Sequence, residues 1–286
     1  MVEPSLLTSA EVARIFGVTA TTVKRWADSG LLECEKTLGK HRRFSVAEVE
    51  RFKHARPGNR ETSANDCATW VDDFLRLLRE APTPSAIEGR LFEMHARSGR
   101  WSVVADALCE ALREIGERWV RGHLSILDEH VMSERMIRAI ARLADWLPRN
   151  PAAPRALLAV PDGDEHTIGL ALTELCFREQ GWDTLWFGRR TPLSELPAEI
   201  ARHSSNLGAV ALSASVVCSD AQWLAREVFA LENACRPQNV MLVLGGHGAW
   251  PEHPAYATKL ASFSGLGEAL DLRRANLKSR LQGVFR

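Results

Sequence analysis

The pattern of apolar and polar residues divides the chain into three parts with different periodicities. The first part holds short amphipathic segments around a basic insert, and the second repeats apolar residues at helical spacing. The third alternates short apolar runs with helix-like stretches. Polar, proline-containing stretches at 56–66 and 147–154 separate the parts. The pattern therefore predicts these segments: a first domain at 1–57, a linker at 58–66, a second domain at 67–150 and a third domain at 151–286.

Two short helices joined by a tight turn are predicted near the N-terminus. Thr8 and Glu11 have capping-box spacing for a first helix, and Thr19 precedes a second helix that runs from Ala20 to Asp28. A helix, a short turn containing Gly17 and a second helix are typical of DNA-binding helix-turn-helix modules. The side chains predicted to contact DNA from the second helix are Thr21, Thr22, Lys24 and Arg25.

A basic segment, residues 36–44, follows the second helix. Its Gly39 tip predicts a β-hairpin that carries four formal positive charges and no acid. A basic loop in isolation is more often only solvated, but beside a helix-turn-helix it indicates contacts with DNA phosphates. The residues predicted to make these contacts are Lys40, His41, Arg42 and Arg43. The segment resembles MerR-type winged helix-turn-helix domains, whose wing has the pattern Gly-x-His-Arg-x-Phe/Tyr; Gly39, His41, Arg42 and Phe44 match it.

The second part predicts an antiparallel four-helix bundle, because four helical patterns are joined by short turns. The predicted helices are Asp66–Ala81, Ser85–Ser98, Trp101–Arg121 and Ser125–Leu147. In the fourth helix Glu129 lies in the middle of an apolar face, where an unpartnered carboxylate is costly. A salt bridge to another helix and a contact with a ligand both remain open explanations.

The third part predicts an α/β domain with a parallel sheet, since its apolar runs alternate with helices. The predicted strands are 155–161, 184–187, 209–213 and 240–244. Ligands of such sheets bind at the carboxyl ends of the strands. Asp164 and His166 follow the first strand, and an imidazole with a carboxylate two residues earlier suits a metal ligand oriented by that carboxylate. A histidine that merely begins a helix is the alternative.

Three motifs follow one another along the third part of the chain, and the first of them contains Asp164 and His166. They are Asp164-x-His166-x-x-Gly169, Ser213-x-Ser215 and Gly245-Gly246. They resemble the Rossmann-like (flavodoxin-like) cobalamin-binding fold of corrinoid-dependent methyltransferases and mutases. The resemblance implies that His166 ligates the cobalt of cobalamin in place of the cofactor's own base. It also implies that the displaced nucleotide tail enters a slot formed by the serine and glycine loops.

A further motif lies in the helical part, where Trp119, nine intervening residues and Glu129-His130 follow one another. This motif and the order of the three domains resemble cobalamin-based photoreceptor repressors. The resemblance implies that Trp119 covers the upper face of cobalamin and that Glu129 and His130 contact its adenosyl group. In light-sensing members a histidine commonly follows the tryptophan. Val120 replaces it here and cannot ligate cobalt, so His123, His130 or water are the alternatives for that role.

The resemblance implies a light-responsive transcriptional repressor that binds operator DNA as a dimer or tetramer when adenosylcobalamin is bound. The sequence predicts no enzyme, because no partner catalytic domain accompanies the cobalamin motifs. A corrinoid methyl-carrier protein, or a regulator that senses haem or another cobalamin form without light, are the alternatives.

Thirty-six basic and 36 acidic residues balance, so any basic surface is local. Six scattered cysteines and the lack of a long apolar run predict a cytoplasmic protein without a membrane span.

Overall fold

A computed structural model of the chain describes residues 6–16, 20, 23–24, 27, 32–37, 39, 41–46, 48–49, 64–80, 83–148, 150 and 153–284. The chain divides into two compact units, Met1–Pro148 and Arg149–Arg286. The first unit holds the N-terminal sheet and four long helices, and we call the second the α/β unit.

The chain begins with strand β1 (Leu6–Thr8) and helix α1 (Ser9–Phe16). The capping box predicted for this helix is present. Thr8 Oγ1 accepts a hydrogen bond from the amide of Glu11 at 3.2 Å, and Glu11 Oε2 accepts one from the amide of Thr8 at 2.8 Å. The helix therefore begins at Ser9, directly after the capping residue Thr8, and Glu11 lies in its first turn. The pattern did not predict β1, because two leucines make too short an apolar run to indicate a strand.

The predicted hairpin is also present. Strands β2 (Glu35–Lys36) and β3 (Arg42–Ser45) pair antiparallel, and β1 lies on the other side of β3. The turn is closed by a hydrogen bond of 2.9 Å from the amide of Thr37 to the carbonyl of His41. Beneath the sheet, six side chains form a small apolar core: Val12, Ala13, Val23, Leu32, Phe44 and Val49. Of the second helix, Ala20–Asp28, only part lies within the described residues.

Four helices follow: α2 (Ala64–Glu80), α3 (Pro84–Ser98), α4 (Trp101–Val120) and α5 (Ile126–Trp146). Their bounds agree with the four predicted helices to within about two residues. Each helix contacts the other three. The apolar face predicted for α5 is buried: its members are Met132, Met136, Ile140 and Leu143. The helices thus enclose a common apolar interior.

The α/β unit contains five parallel strands: β4 (Arg155–Pro161), β5 (Asp183–Thr191), β6 (Leu207–Ala214), β7 (Met241–Gly246) and β8 (Thr258–Lys259). Their order across the sheet is β5-β4-β6-β7-β8. This is the flavodoxin-like order. The chain adds β5 on one side of β4 and then adds β6, β7 and β8 on the other side, so the strand order reverses between β4 and β6. All eight residues of β6 are buried, as expected for a central strand with helices on both faces. The predicted parallel sheet is confirmed.

Helices cover the sheet and complete the unit. Helix α6 (Ile168–Glu179) contacts β4, β5 and β6, whereas α7 (Leu196–Arg202) and α8 (Ala221–Cys235) belong to the apolar cluster that contains Leu157 and Ala159 of β4. Leu158, which lies between Leu157 and Ala159 in β4, points to the opposite face, since side chains alternate along a strand.

The last two elements were not among the predicted ones. Strand β8 has two residues with exposed side chains, which give no apolar pattern, and helix α9 (Phe263–Val284) begins after the last predicted strand. None of the helices within the described residues combines the length and apolar character that a membrane crossing requires.

Candidate cofactor site

The carboxyl ends of three neighbouring strands bring the predicted loops together. Strands β6 and β7 are in register with Ser213 opposite Gly245 and Ala214 opposite Gly246. Strand β4, which leads into the Asp164–His166 loop, pairs with the other side of β6. Because the strands are parallel, all three motifs lie at one edge of the sheet, next to the point where the strand order reverses.

His166 is held by a buried carboxylate. Its Nδ1 atom lies 2.8 Å from Oδ1 of Asp164, and the same oxygen accepts a hydrogen bond of 3.0 Å from the His166 amide. Asp164 has no exposed surface, whereas 66% of the His166 side chain is exposed. A carboxylate that accepts from Nδ1–H leaves the lone pair of the neutral ring on Nε2. This is the orientation that carboxylates impose on metal-binding histidines.

The second oxygen of Asp164 binds the loop that follows β6. Oδ2 accepts a hydrogen bond of 2.6 Å from the amide of Ser215, and the Cys218 thiol donates to it at 3.6 Å. Burial acts to raise the pKa of Asp164, but hydrogen bonds from Ser215 and His166 outweigh it and hold that pKa below its usual value. Asp164 is therefore ionised at neutral pH and joins the two loops.

Burial and the nearby charge of Asp164 raise the pKa of the Cys218 thiol to about 11. The thiol is therefore protonated at neutral pH and can donate to the carboxylate. Ser215 completes the network, because its Oγ lies 3.1 Å from Nδ1 of His166 and accepts a hydrogen bond of 3.2 Å from the Val217 amide.

Two glycines of the site, Gly169 and Gly246, lie where a side chain would collide with its neighbours. A Cβ atom on Gly169 would lie 2.7 Å from the hydroxyl of Ser213. Gly246 has φ of 80°, and a Cβ atom there would lie 2.2 Å from the carbonyl oxygen of Ala214. Gly169 therefore lets α6 approach β6 closely, and Gly246 allows the turn at the end of β7. The close approach to Ser213 at position 169 and the positive φ at position 246 therefore explain why glycine occupies these two positions.

These residues fit cobalamin. The His166 side chain is 66% exposed at the carboxyl edge of the sheet, and its Nε2 offers one nitrogen ligand to a metal. Ser213, Gly245 and Gly246 leave the ends of β6 and β7 without bulky groups. One imidazole ligand with space beside it is what a cobalt ion already held by a corrin ring needs.

The residues predicted for the upper face of cobalamin lie on α4 and α5. Trp119 is in the last turn of α4 and is 47% exposed, although Val104, Leu108 and Ile115 on the same stripe are buried. His130 Nδ1 lies 2.7 Å from Oε2 of Glu129. The Ser133 hydroxyl donates to Oε1 of Glu129 at 2.7 Å. A carboxylate on an apolar face needs polar partners. Two of the partners of Glu129, His130 and Ser133, lie on its own helix.

The predicted DNA-contacting residues are only partly covered by the structure. Lys24 and His41 are exposed, and Arg42 and Arg43 are half-buried in β3. The other four lie outside the described residues: Thr21, Thr22, Arg25 and Lys40.

Sequence reasoning missed two contributors to the Asp164 network. Cys218 binds Asp164 across 54 positions of the chain, and the amide of Arg190 donates to the Asp164 carbonyl at 3.1 Å. The Arg190 side chain also lies 3.2 Å from Glu165. Neither contact has a signal in local spacing, because both depend on which strands are neighbours.

The chain matches two families of known domains. A helix-turn-helix domain family matches residues 6–57, and a B12 binding domain family matches residues 100–144, which include all of α4 and α5 up to Ala144. The second match therefore covers Trp119, Glu129 and His130.

Two proteins of Myxococcus xanthus are similar to this chain. It is 33% identical over 147 residues to the HTH-type transcriptional repressor CarA, an alignment that covers 50% of this chain and 46% of CarA. It is 28% identical over 178 residues to the HTH-type transcriptional repressor CarH, covering 61% of this chain and 56% of CarH. The chain thus spans about half the length of these relatives.

A monomethylamine corrinoid protein of Methanosarcina barkeri has a similar fold. It superimposes with a TM-score of 0.53 at 17% sequence identity, over 71% of this chain and 96% of that protein. At this identity the likeness concerns the fold alone. Taken with the domain matches, it means that the chain joins a helix-turn-helix domain to a B12 binding domain and resembles HTH-type transcriptional repressors.

Proposed function

We propose that this chain is a transcriptional repressor whose binding to operator DNA is controlled by cobalamin, with adenosylcobalamin as the working ligand. It acts as a regulator and not as an enzyme. The observation that carries the proposal is the 2.8 Å contact between Asp164 and Nδ1 of His166, which leaves Nε2 as the metal-binding nitrogen of a side chain that is 66% exposed at the carboxyl edge of the sheet. His166 is the proposed cobalt ligand.

The nucleotide tail of the cofactor is proposed to enter beside the three small-residue motifs. Gly169 and Ser213 lie on facing elements, α6 and β6, and form one side of the proposed slot. Gly245 and Gly246 form the other side of the proposed slot.

Trp119, Glu129 and His130 are proposed to contact the upper face of the cofactor. A large aromatic side chain that is half exposed at the end of a helix suits contact with a flat ring. The carboxylate of Glu129 fixes the ring of His130, so that its Nε2 is available for a hydrogen bond to a ribose hydroxyl. Val120 has no such group and contributes only apolar surface.

Bound adenosylcobalamin would supply a cobalt–carbon bond that light can break. We propose that the loaded protein is a dimer or tetramer, in which several helix-turn-helix domains bind one operator together and gain affinity from their linkage. The ligand can shift the protein between a DNA-binding and a released state only if it has different affinities for the two. The proposed DNA contacts are the eight residues of the second helix and the wing that the sequence identifies.

The test uses the full chain loaded with adenosylcobalamin in the dark. We expect an absorption spectrum in which a protein imidazole replaces the cofactor's own base, and a mobility shift with duplexes that the loaded protein selects from a random pool. Green light should change the spectrum, release the duplex and reduce the size measured by gel filtration. His166→Ala should lose the imidazole-bound spectrum, whereas His253→Ala, an exposed histidine outside the site, should keep it.

Each part of the proposal can fail separately. Operator binding that persists while adenosylcobalamin stays unbound contradicts the cofactor assignment. Release of DNA when the cofactor is withdrawn, with no effect of light, restricts the signal to cofactor availability. Tight cobalamin binding without any affinity for DNA favours a corrinoid methyl carrier instead.

A further inference from the structure

The last turn of α4 is joined to α2 by an ion pair. The guanidinium of Arg118 contacts the carboxylate of Asp72 on α2, and it also donates to Oε1 of Glu114 at 2.7 Å. Arg118 directly precedes Trp119, the residue proposed to cover the cofactor. The pair therefore links α2, which carries none of the proposed cofactor residues, to the turn that carries one of them.

The position of Trp119 depends on this turn. A side chain that is packed on all sides is held by its neighbours, but Trp119 is 47% exposed, so its neighbours cover only about half of it. Its orientation is therefore set largely by the backbone that carries it. The Gly122 amide donates to the Trp119 carbonyl at 2.9 Å, and the His123 amide donates to the Arg118 carbonyl at 2.8 Å. These bonds fix the shape of the turn but not its distance from α2.

A cavity of about 280 Å³ interrupts the packing between α2 and the end of α4. Its lining combines apolar side chains, among them Leu75, Leu124 and Met132, with the charged side chains of Asp72 and Arg118. Residues around a cavity have no atoms to contact on that side, so packing holds them less firmly than residues of a filled interior. The ion pair between Asp72 and Arg118 joins the two helices at this point.

We propose that Asp72 and Arg118 are positioning residues, which hold the last turn of α4 so that Trp119 lies over the upper face of the cofactor. This inference rests on the proposed cobalamin-binding function and adds two residues that act through Trp119 without touching the ligand. Loss of the pair should weaken binding of adenosylcobalamin more than binding of cyanocobalamin, because only the adenosyl form has a large group on the face that Trp119 covers.

The test compares Asp72→Asn with the wild-type chain and with Asp73→Asn. Asp73 is the matched control, because its carboxylate is similarly exposed but pairs with Arg76 on its own helix at 2.6 Å. Dissociation constants for adenosylcobalamin and cyanocobalamin are measured by absorbance in the dark. We expect Asp72→Asn to weaken adenosylcobalamin binding about two- to fivefold, the usual contribution of a partly exposed ion pair, and to change cyanocobalamin binding less. The control should bind both compounds like the wild type.

Three further measurements separate positioning from a general loss of stability. Sodium chloride at about 1 M should reduce the difference in affinity between wild type and Asp72→Asn, because salt screens an exposed ion pair but does not repair a packing defect. Asp72→Glu keeps the carboxylate and should restore most of the wild-type affinity. In an Arg118→Gln background Asp72→Asn should cause no further loss, since its partner is already absent.

Several results would overturn the inference. Equal losses for the two cobalamins, or the same loss in Asp73→Asn, would mean that the carboxylate acts on the helices as a whole. Unchanged adenosylcobalamin affinity in Asp72→Asn would show that Trp119 does not need the pair, while cobalamin binding by the wild type would leave the proposed function intact. If the wild-type chain binds neither cobalamin, the proposed function fails and this inference fails with it.

Discussion

The hydroxyl of Ser213 lies 2.7 Å from the position that a Cβ atom on Gly169 would occupy. The two residues come from β6 and from the first turn of α6, so this distance records how closely the helix approaches the sheet. A side chain at position 169 would push the helix away from the strand or rotate the serine.

Gly169→Ala should have an effect that depends on Ser213. In the wild-type chain the crowding of the added methyl costs about 1–3 kcal/mol, offset by about 1 kcal/mol from the better helix propensity of alanine. In a Ser213→Ala background the nearest remaining side-chain atom is the Cβ at 3.9 Å, so the same change should stabilise the protein. Denaturant unfolding of the full chain measures both differences.

Gly116→Ala provides the control for helix propensity, because no atom lies within 4 Å of its Cβ position in α4. It should stabilise the chain in either background. An equal effect of Gly169→Ala with and without the Ser213 hydroxyl would contradict the close approach of α6 to β6.

Asp164→Asn should weaken cobalamin binding about 10–100-fold, the usual cost of losing a carboxylate behind a metal-binding histidine. An amide cannot accept on both sides, so it would set an N–H group against either the Ser215 amide or Nδ1–H of His166. Titration of the apoprotein with cobalamin, followed by absorbance, measures the loss. Asp162→Asn in the same loop is the control, since the Asp162 carboxylate bonds only to the adjacent Gly163 amide within the described residues. Similar losses of cobalamin affinity in both variants would contradict the role of Asp164 in orienting His166.

The start of α5 should become less stable in acid. Hydrogen bonds from the Ser125 hydroxyl and amide hold the pKa of Asp128 below its ordinary value of 3.8. A lowered folded-state pKa means that the contribution is complete above the unfolded value and disappears as pH falls through the folded value. The melting temperature of wild type should therefore exceed that of Asp128→Asn near neutral pH, and the gap should close as the carboxyl becomes protonated.

The Ser125→Ala background checks the cause of this pH dependence. Without the serine hydroxyl, Asp128 loses the hydrogen bond that lowers its pKa most, so the difference in melting temperature between wild type and Asp128→Asn should shrink at neutral pH. A gap that stays the same at every pH, with or without Ser125, would show that the capping box does not produce it.

Lys24→Ala should weaken binding to DNA of any sequence. An exposed lysine on the second helix of a helix-turn-helix domain is expected to contact a phosphate, so its loss should lower the slope of log affinity against log salt by about one. Fluorescence anisotropy with a mixed-sequence duplex at several salt concentrations measures that slope. Lys259→Ala, an exposed lysine on β8, should leave it unchanged, and an equal decrease in both variants would argue against a contact at Lys24.

The sequence by itself determined the elements whose physical cause is local. Capping pairs such as Thr8–Glu11 mark a helix start within four residues, and the apolar stripe through Met132 and Met136 repeats at helical spacing. The spacing of Asp164 and His166 likewise predicts their contact, because two residues beyond a strand end cannot move far apart. The four long helices and four of the five strands of the α/β unit could therefore be predicted.

The tertiary structure alone decided which residues far apart in the sequence contact these elements. Strand order places Cys218 and Ser215 on the second oxygen of Asp164, 54 and 51 positions away, and no local pattern encodes which strands are neighbours. It also decided that Trp119, at the end of the apolar stripe of α4, stays 47% exposed, since no helix among the described residues covers its whole surface. Short strands such as β1 and β8 are stabilised by pairing with residues distant in the sequence. Their own two or three residues form too short an apolar pattern to predict a strand.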